Sequence, residues 1–176
     1  MAEYKSINGF TLQDVATDPT INTGQVWYNS ATRAIKLHAA TASGTWATGG
    51  ALGAARQKSG GAGTQTAGLI FAGNGPPLLA TSEEYDGSSW TGGGTMGTAR
   101  YAPTNTIGAS QTAALAVGGS NGVGDFNNTE EYDGTSWAGG GNYPISKQAM
   151  AGAGTQTAGL SCGGGGNVTT TNEYGG

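Results

Sequence analysis

The sequence predicts an all-β protein of about three four-stranded repeats preceded by an N-terminal arm and a β-hairpin, and three observations carry that expectation. A nonapeptide, Gly-Ala-Gly-Thr-Gln-Thr-Ala-Gly-Leu, stands unchanged at residues 61–69 and 152–160, with a degenerate copy at 108–115. Gln65, Gln111 and Gln156 therefore mark one position in three units, 46 and then 45 residues apart, the signature of a repeat architecture. Tryptophans, basic residues, glycine pairs and tyrosines recur with the nonapeptide in fixed order. Finally, Leu, Ile, Val and Phe make only 22 of 176 residues beside 35 Gly, too few for a large conventional core. A net charge of −4 with 10% charged residues argues against charge-driven disorder, and the ordered spacing of the aromatics against a low-complexity linker.

In chain order, residues 1–24 hold no repeat. Phe10, Leu12 and Val15 could form a helical stripe, but Pro19, Asn22 and Gly24 end it, which leaves a short extended or helical arm. Gln25-Val26-Trp27-Tyr28 is rich in β formers and Asn29-Ser30 is turn material. From Arg33 to His38, Ile35 and Leu37 alternate onto one side, so a hairpin is expected. Residues 1–42 read as an attachment segment, with Phe10, Leu12, Trp27 and Tyr28 as candidate anchoring side chains.

Residues 43–176 carry the repeats, at 43–89, 90–136 and 137–176, the last incomplete. Trp46, Trp90 and Trp137 are each followed ten residues later by a basic side chain, Arg56, Arg100 or Lys147. A nonapeptide copy comes next, and its apolar run should be a buried strand closed by glycines at Gly73, Gly118-Gly119 and Gly163-Gly164. Tyr85, Tyr132 and Tyr174 follow. Glu83-Glu84-Tyr85-Asp86-Gly87 and Glu130-Glu131-Tyr132-Asp133-Gly134 lead to a Trp five residues past the Tyr, so the Asp-Gly turns should join antiparallel strands. Thr45-Trp46-Ala47 supplies one extra strand ahead of the first repeat. Length varies mainly between the apolar strand and the Tyr strand, which places surface loops at 74–80 and 120–128.

A period near 45 residues with four short strands suits a propeller blade. An apolar strand ending in a Gly doublet, then Tyr, then Trp, then a basic residue resembles the kelch motif over about residues 43–174. The Gly- and Thr-rich form with Glu-Glu-Tyr-Asp-Gly-Thr-Ser-Trp is most similar to kelch-like repeats in virion proteins of marine tailed bacteriophages. The Gly-Gln-Val-Trp-Tyr-Asn-Ser opening likewise resembles the N-terminal segment of many tailed-phage virion proteins. This resemblance implies kelch-like β-propeller blades in a tail fibre, spike or capsid appendage. It also implies location in the virion, after synthesis in the host cytoplasm, with other virion proteins as partners. Since propellers need about 4 to 8 blades, three repeats point to a longer product, a ring of several chains or a stacked shaft, and the scarcity of aliphatics favours a homo-oligomer.

The residues that carry chemistry favour no enzyme. His38 is the one histidine and has no triad motif around it. One His and one Cys, Cys162, cannot build the copper site of kelch-fold oxidases. The acids around Glu83 and Glu130 recur in every unit, unlike a catalytic pair that is needed once. They are expected to pair with Arg56, Arg100 or Lys147, as solvent-facing or inter-repeat carboxylates. Gly92-Gly93-Gly94-Thr95-Met96-Gly97 matches the dinucleotide fingerprint in letters, but no helical pattern follows, so a loop is expected and no cofactor. One acid, Asp125, is thin for calcium, and no metal is assigned.

No basic patch exists for nucleic acid, and no apolar run is long enough to span a membrane. The expected function is non-enzymatic host attachment, with Asn74, Pro76, Pro77, Asn121, Asp125, Phe126 and Asn127 as candidate contacts to a host surface glycan or protein. A free-standing binding module or lectin is the alternative, followed by a polysaccharide-degrading enzyme.

Overall fold

A computed structural model describes residues 3–7, 10–20, 25–37, 44–104 and 107–175. The described residues are strands, turns and loops with no helix, arranged in four small sheets. The chain divides into two compact units, Met1–Ala47 and Thr48–Gly176.

The first unit is one sheet of strands β1 (Glu3–Ile7), β2 (Phe10–Val15), β3 (Val26–Asn29) and β4 (Ala34–Leu37), in that order. The arm is thus extended, and its helical alternative fails: β1 and β2 form a tight antiparallel pair with Ile7 opposite Phe10. Strand β3 then joins β2 in parallel, and β3 and β4 form the expected hairpin, with Tyr28 opposite Ile35. Trp27 is buried at 3% exposure, whereas Ile35 and Leu37 stand 56% and 62% exposed. Asp18 fixes the sheet: its carboxylate accepts from Trp27 Nε1 at 3.0 Å, Asn29 Nδ2 at 2.7 Å and Lys36 Nζ at 2.7 Å.

The second unit holds three meander sheets. They are β5 (Gly60–Thr64), β6 (Ala67–Phe71), β7 (Thr81–Tyr85) and β8 (Trp90–Thr95); β9 (Ile107–Ser110), β10 (Ala113–Val117), β11 (Thr129–Tyr132) and β12 (Trp137–Gly139); and β13 (Ala151–Thr155), β14 (Ala158–Cys162) and β15 (Thr171–Gly175). All neighbours within these sheets run antiparallel, and the first strand of the middle sheet, β9, lies beside both β5 and β13. The repeat limits at 89/90 and 136/137 pass through the β7–β8 and β11–β12 hairpins; as sheets, the units run 60–95, 107–139 and 151–175.

The nonapeptide is itself a hairpin, both a strand and the way into one. Thr64 pairs with Ala67 and Thr155 with Ala158 across two-residue turns, leaving Gln65 and Gln156 at the tips. The glycine two residues before each Gln has φ of 95° at Gly63 and 97° at Gly154, and a Cβ there would lie 2.2 Å from the Ala67 or Ala158 carbonyl oxygen. The Asp-Gly turns form as expected. Asp86 Oδ1 accepts from the Ser88 and Ser89 amides at 2.8 and 2.7 Å, and Asp133 repeats this with Thr135 and Ser136.

Two apolar clusters lie between the sheets. One gathers Leu69, Phe71, Met96, Ala114, Ala116 and Tyr132, the other Ile107, Leu115, Val117, Tyr143 and Met150. Small residues on β10 and β14 let the sheets approach closely, so few large aliphatics suffice.

Candidate functional site

Most of the recurring polar residues of the repeats meet another part of the repeat array. Strand geometry sends adjacent residues to opposite faces, so the two glutamates before each tyrosine have different tasks. Glu83 and Glu130, on β7 and β11, are 6% and 5% exposed and face basic residues in the segments that lead into their own sheets. Glu83 pairs with Arg56 Nη2 at 2.5 Å and accepts the Gly53 and Ala54 amides at 2.6 and 3.1 Å. Glu130 pairs with Arg100 and accepts the Gly97 amide at 2.6 Å. These pairs are buried, contrary to any solvent-facing placement: both guanidinium side chains have no exposed surface. Burial works to raise the Glu83 carboxyl, but its bonds to Gly53, Arg56 and Ala54 outweigh that and hold it below the usual range.

Arg100 bolts two sheets together. Its main chain belongs to the first repeat, accepting from the Gly73 amide at 2.8 Å and donating to the Leu79 carbonyl at 3.2 Å. Its side chain belongs to the second, donating from Nη1 to Gly118 O at 2.8 Å and Asn128 O at 3.0 Å. Lys147 does the same one repeat on. Its carbonyl accepts from Gly119 at 2.8 Å, its amide donates to Phe126 O at 2.9 Å, and its ammonium reaches Gly165 O at 3.1 Å. Here Asn172 stands at the acid position and donates to the Tyr143 hydroxyl at 2.8 Å.

Glu84 and Glu131 serve the opposite seam. The Tyr132 hydroxyl donates to Glu84 at 2.5 Å, and the Tyr174 hydroxyl donates to Glu131. Both phenols are raised above their ordinary value, Tyr132 by burial first and Glu84 second, Tyr174 by Glu131 first and burial second. Two of the three hairpin-tip glutamines reach back one repeat. Gln111 Nε2 donates to Gly68 O and Tyr85 O, both at 3.0 Å, and Gln156 Nε2 donates to Ala114 O at 3.2 Å and Tyr132 O at 2.7 Å.

The tryptophans differ. Trp90 and Trp137 lie 4.9 Å from Tyr85 and Tyr132, centroid to centroid, and Trp137 lies 4.9 Å from Phe71 of the preceding repeat. Trp46 is fully exposed, and residues 44–47 form no strand, because among the described residues no strand lies beside them to complete the hydrogen bonds. The glycine run 92–94, expected as a loop, lies inside β8, where the absence of Cβ lets the next repeat approach: a Cβ on Gly94 would lie 2.6 Å from Thr135 O.

Of the loop residues, Pro76, Pro77, Asn121 and Asp125 are exposed. Asn74 is tied to Gln57 by a pair of backbone bonds. Phe126 packs over the Arg100 guanidinium at 5.7 Å, and the Asn127 carbonyl accepts the Tyr143 amide, so these two support the loop from beneath. Val123, at the tip, is 95% exposed; the sequence marked it only by its flanking glycines. In the first unit Leu12 and Tyr28 are half-buried and Trp27 is buried. The position of Phe10 is fixed in β2, and His38 lies outside the described residues. The roles of Glu84, Glu131, Gln111 and Gln156 had no local sequence signal beyond recurrence, and that of Asp18 had none. No group of three or more His, Cys, Asp or Glu placed to hold a metal ion occurs among the described residues, and no described helix could cross a membrane.

Neither a protein-family model nor a curated protein matches this chain.

Proposed function

We propose that the protein is a non-enzymatic structural component of a tailed-phage virion, a tail fibre, spike or capsid appendage, that displays kelch-like blades for host attachment. The observation that carries the non-enzymatic part is the use of charge. The recurring acids and bases are engaged in joining one repeat to the next, as at Arg100, Glu130 and Glu131, while the residues that differ between copies lie in the exposed loops at 76–77 and 121–125. A scaffold with variable loops is what a display module requires. The meander order of the three sheets and the side-by-side placement of β5, β9 and β13 support the blade reading. The virion assignment rests on resemblance of the repeats and of residues 24–30 to phage proteins.

The test is incorporation. Particles produced with a copy lacking residues 1–40 should be depleted of this protein, and normal incorporation would remove the attachment role of that segment. Replacement of Asn121, Val123 and Asp125 by Ala should reduce adsorption to host cells while leaving incorporation intact; unchanged adsorption would remove the display role of that loop.

A further inference from the structure

Where the segment after β8 crosses the middle sheet, a groove of about 280 Å3 opens beside β12. Its lining includes Thr98, Asn128, Glu130, Trp137, Gly139 and Asn142. The groove owes its space to a glycine. Gly139 pairs with Glu130 across β11 and β12, so a side chain there would stand on the same face as the glutamate. A Cβ on Gly139 would meet no atom within 4 Å. The volume lies near the lower end of the range for small-ligand sites, about 300–1,000 Å3.

The polar residues of this groove do not recur. Counted from the tryptophans and tyrosines, Thr98 corresponds to Ala54 and Ile145, Asn128 to Thr81 and Thr170, and Asn142 to Thr95. Residues needed to join repeats should return at each joint, as Arg56 and Glu83 match Arg100 and Glu130. Two amides and a hydroxyl that occur together at one joint alone serve something else.

The groove is neutral, rigid and equipped for hydroxyl groups. Glu130 accepts from Arg100 at one oxygen and from the Gly97 amide at the other, which fixes the carboxylate, balances its charge and leaves each oxygen able to accept again. The Arg100 side chain has no exposed surface and presents no cation to a ligand. The Asn128 carbonyl accepts from Arg100 Nη1 at 3.0 Å, and its side-chain amide donates to Thr98 Oγ1 at 3.4 Å. That amide keeps a further N–H and its oxygen for a ligand, and the exposed Asn142 offers a second amide. Trp137 is half-buried and its N–H donates to Ser82 Oγ at 3.4 Å, so the indole meets the groove with carbon atoms. An aromatic wall with amides and an acceptor carboxylate around it matches a molecule that carries hydroxyls on its rim and C–H groups on its face. An anion would find no cation here, and one neutralised carboxylate is too few for a metal ion.

We propose that this groove binds one neutral sugar residue, the C–H face of its ring against Trp137 and its hydroxyls bonded to Asn128, Asn142 and Glu130. The site stands on the groove alone. Neither the virion reading nor the 121–125 loop enters, so each can fail without the other.

Nuclear magnetic resonance of the isotope-labelled intact chain tests it, with D-glucose, D-galactose, D-mannose and N-acetyl-D-glucosamine as probes. At least one should shift the Trp137 indole N–H and the Asn128 and Asn142 side-chain amides saturably. Asn128→Ala and Asn142→Ala should each weaken that binding about fivefold, the scale of one hydrogen bond. Gly139→Leu fills the groove from β12 without replacing any residue that joins repeats. It should abolish binding and keep the wild-type circular dichroism spectrum. Methyl glycosides that bind as well as the free sugars would make the ligand the end of a glycan, and binding lost on methylation would make it a free monosaccharide. No shift with any of the four probes overturns the proposal. So does binding that Asn142→Ala and Gly139→Leu leave unchanged, or binding of D-glucuronate as tight as that of the neutral sugars.

Discussion

The two internal seams of the repeat array use one plan with different chemistry. Between the first and second sheets, Arg100 spends its guanidinium on Gly118 O, Asn128 O and Glu130, with the Phe126 ring over it. Between the second and third, Lys147 offers a single reach to Gly165 O, and the acid has become Asn172. Both partners have changed together: with a lysine in place of the forked donor, a buried carboxylate would have lost its best match, and the asparagine instead holds Tyr143. The main-chain half of each bolt is unchanged, Gly73 and Gly119 donating to the carbonyls of Arg100 and Lys147. The backbone contacts therefore define the joint, and the side-chain pair is an addition that the third repeat lacks.

That comparison breaks most sharply at Glu130. Glu130→Gln leaves the Arg100 charge buried beside a neutral amide and should cost about 3–5 kcal/mol in denaturant unfolding. Lys147→Met, which removes an ammonium without stranding an anion, should cost under about 2 kcal/mol. Equal losses would mean that both seams depend on charge alike. The Glu83 pair adds a pH dependence. Its folded-state carboxyl lies below the ordinary value of 4.5, so its contribution is present above that pH and is lost as pH falls through the lower folded value. Glu83→Gln should flatten the acid limb of a stability–pH curve, and an unaltered limb would assign acid sensitivity elsewhere, for example to Asp18, held down to about 2 by Lys36, Asn29 and Trp27.

What the sequence made legible was local. The Asp86-Gly87 turn and the five-residue step from Tyr85 to Trp90 follow from turn chemistry within one hairpin, and both strands formed. The nonapeptide was legible as a strand but not as a hairpin, because the glycine that must hold φ of 95° is one of 35 and carries no mark of its own. Adjacent acids such as Glu83 and Glu84 could be assigned to opposite faces by strand geometry. Which face was buried depended on Arg56 and Tyr132, 27 and 48 residues away. The parallel step from β2 to β3 is equally long-range, and three apolar residues in the arm could not decide between helix and strand.

The tyrosine bonds provide a second contrast. Tyr132 is fully buried with its hydroxyl on Glu84, whereas Tyr174 is half-buried with its hydroxyl on Glu131. Tyr132→Phe should cost about 1.5–3 kcal/mol, as expected for a buried bond to a charged acceptor, and Tyr174→Phe roughly half of that because water can replace the lost donor. The reverse order in thermal unfolding would show that the third sheet depends on its tyrosine more than its exposure suggests.

The smallest effect discriminates most finely. Gln111 and Gln156 occupy equivalent tips and each bonds two carbonyls of the preceding repeat, so replacement by Ala should cost about 1 kcal/mol at either site. Gln65 has the same neighbours in sequence but is exposed, and within one chain Gln65→Ala should change stability by less than about 0.5 kcal/mol. If Gln65→Ala costs as much as Gln111→Ala, the glutamine stabilises its own hairpin turn. If only the two internal glutamines matter, the residue acts solely across a seam, and its recurrence in every copy records a contact between repeats rather than a requirement of the hairpin.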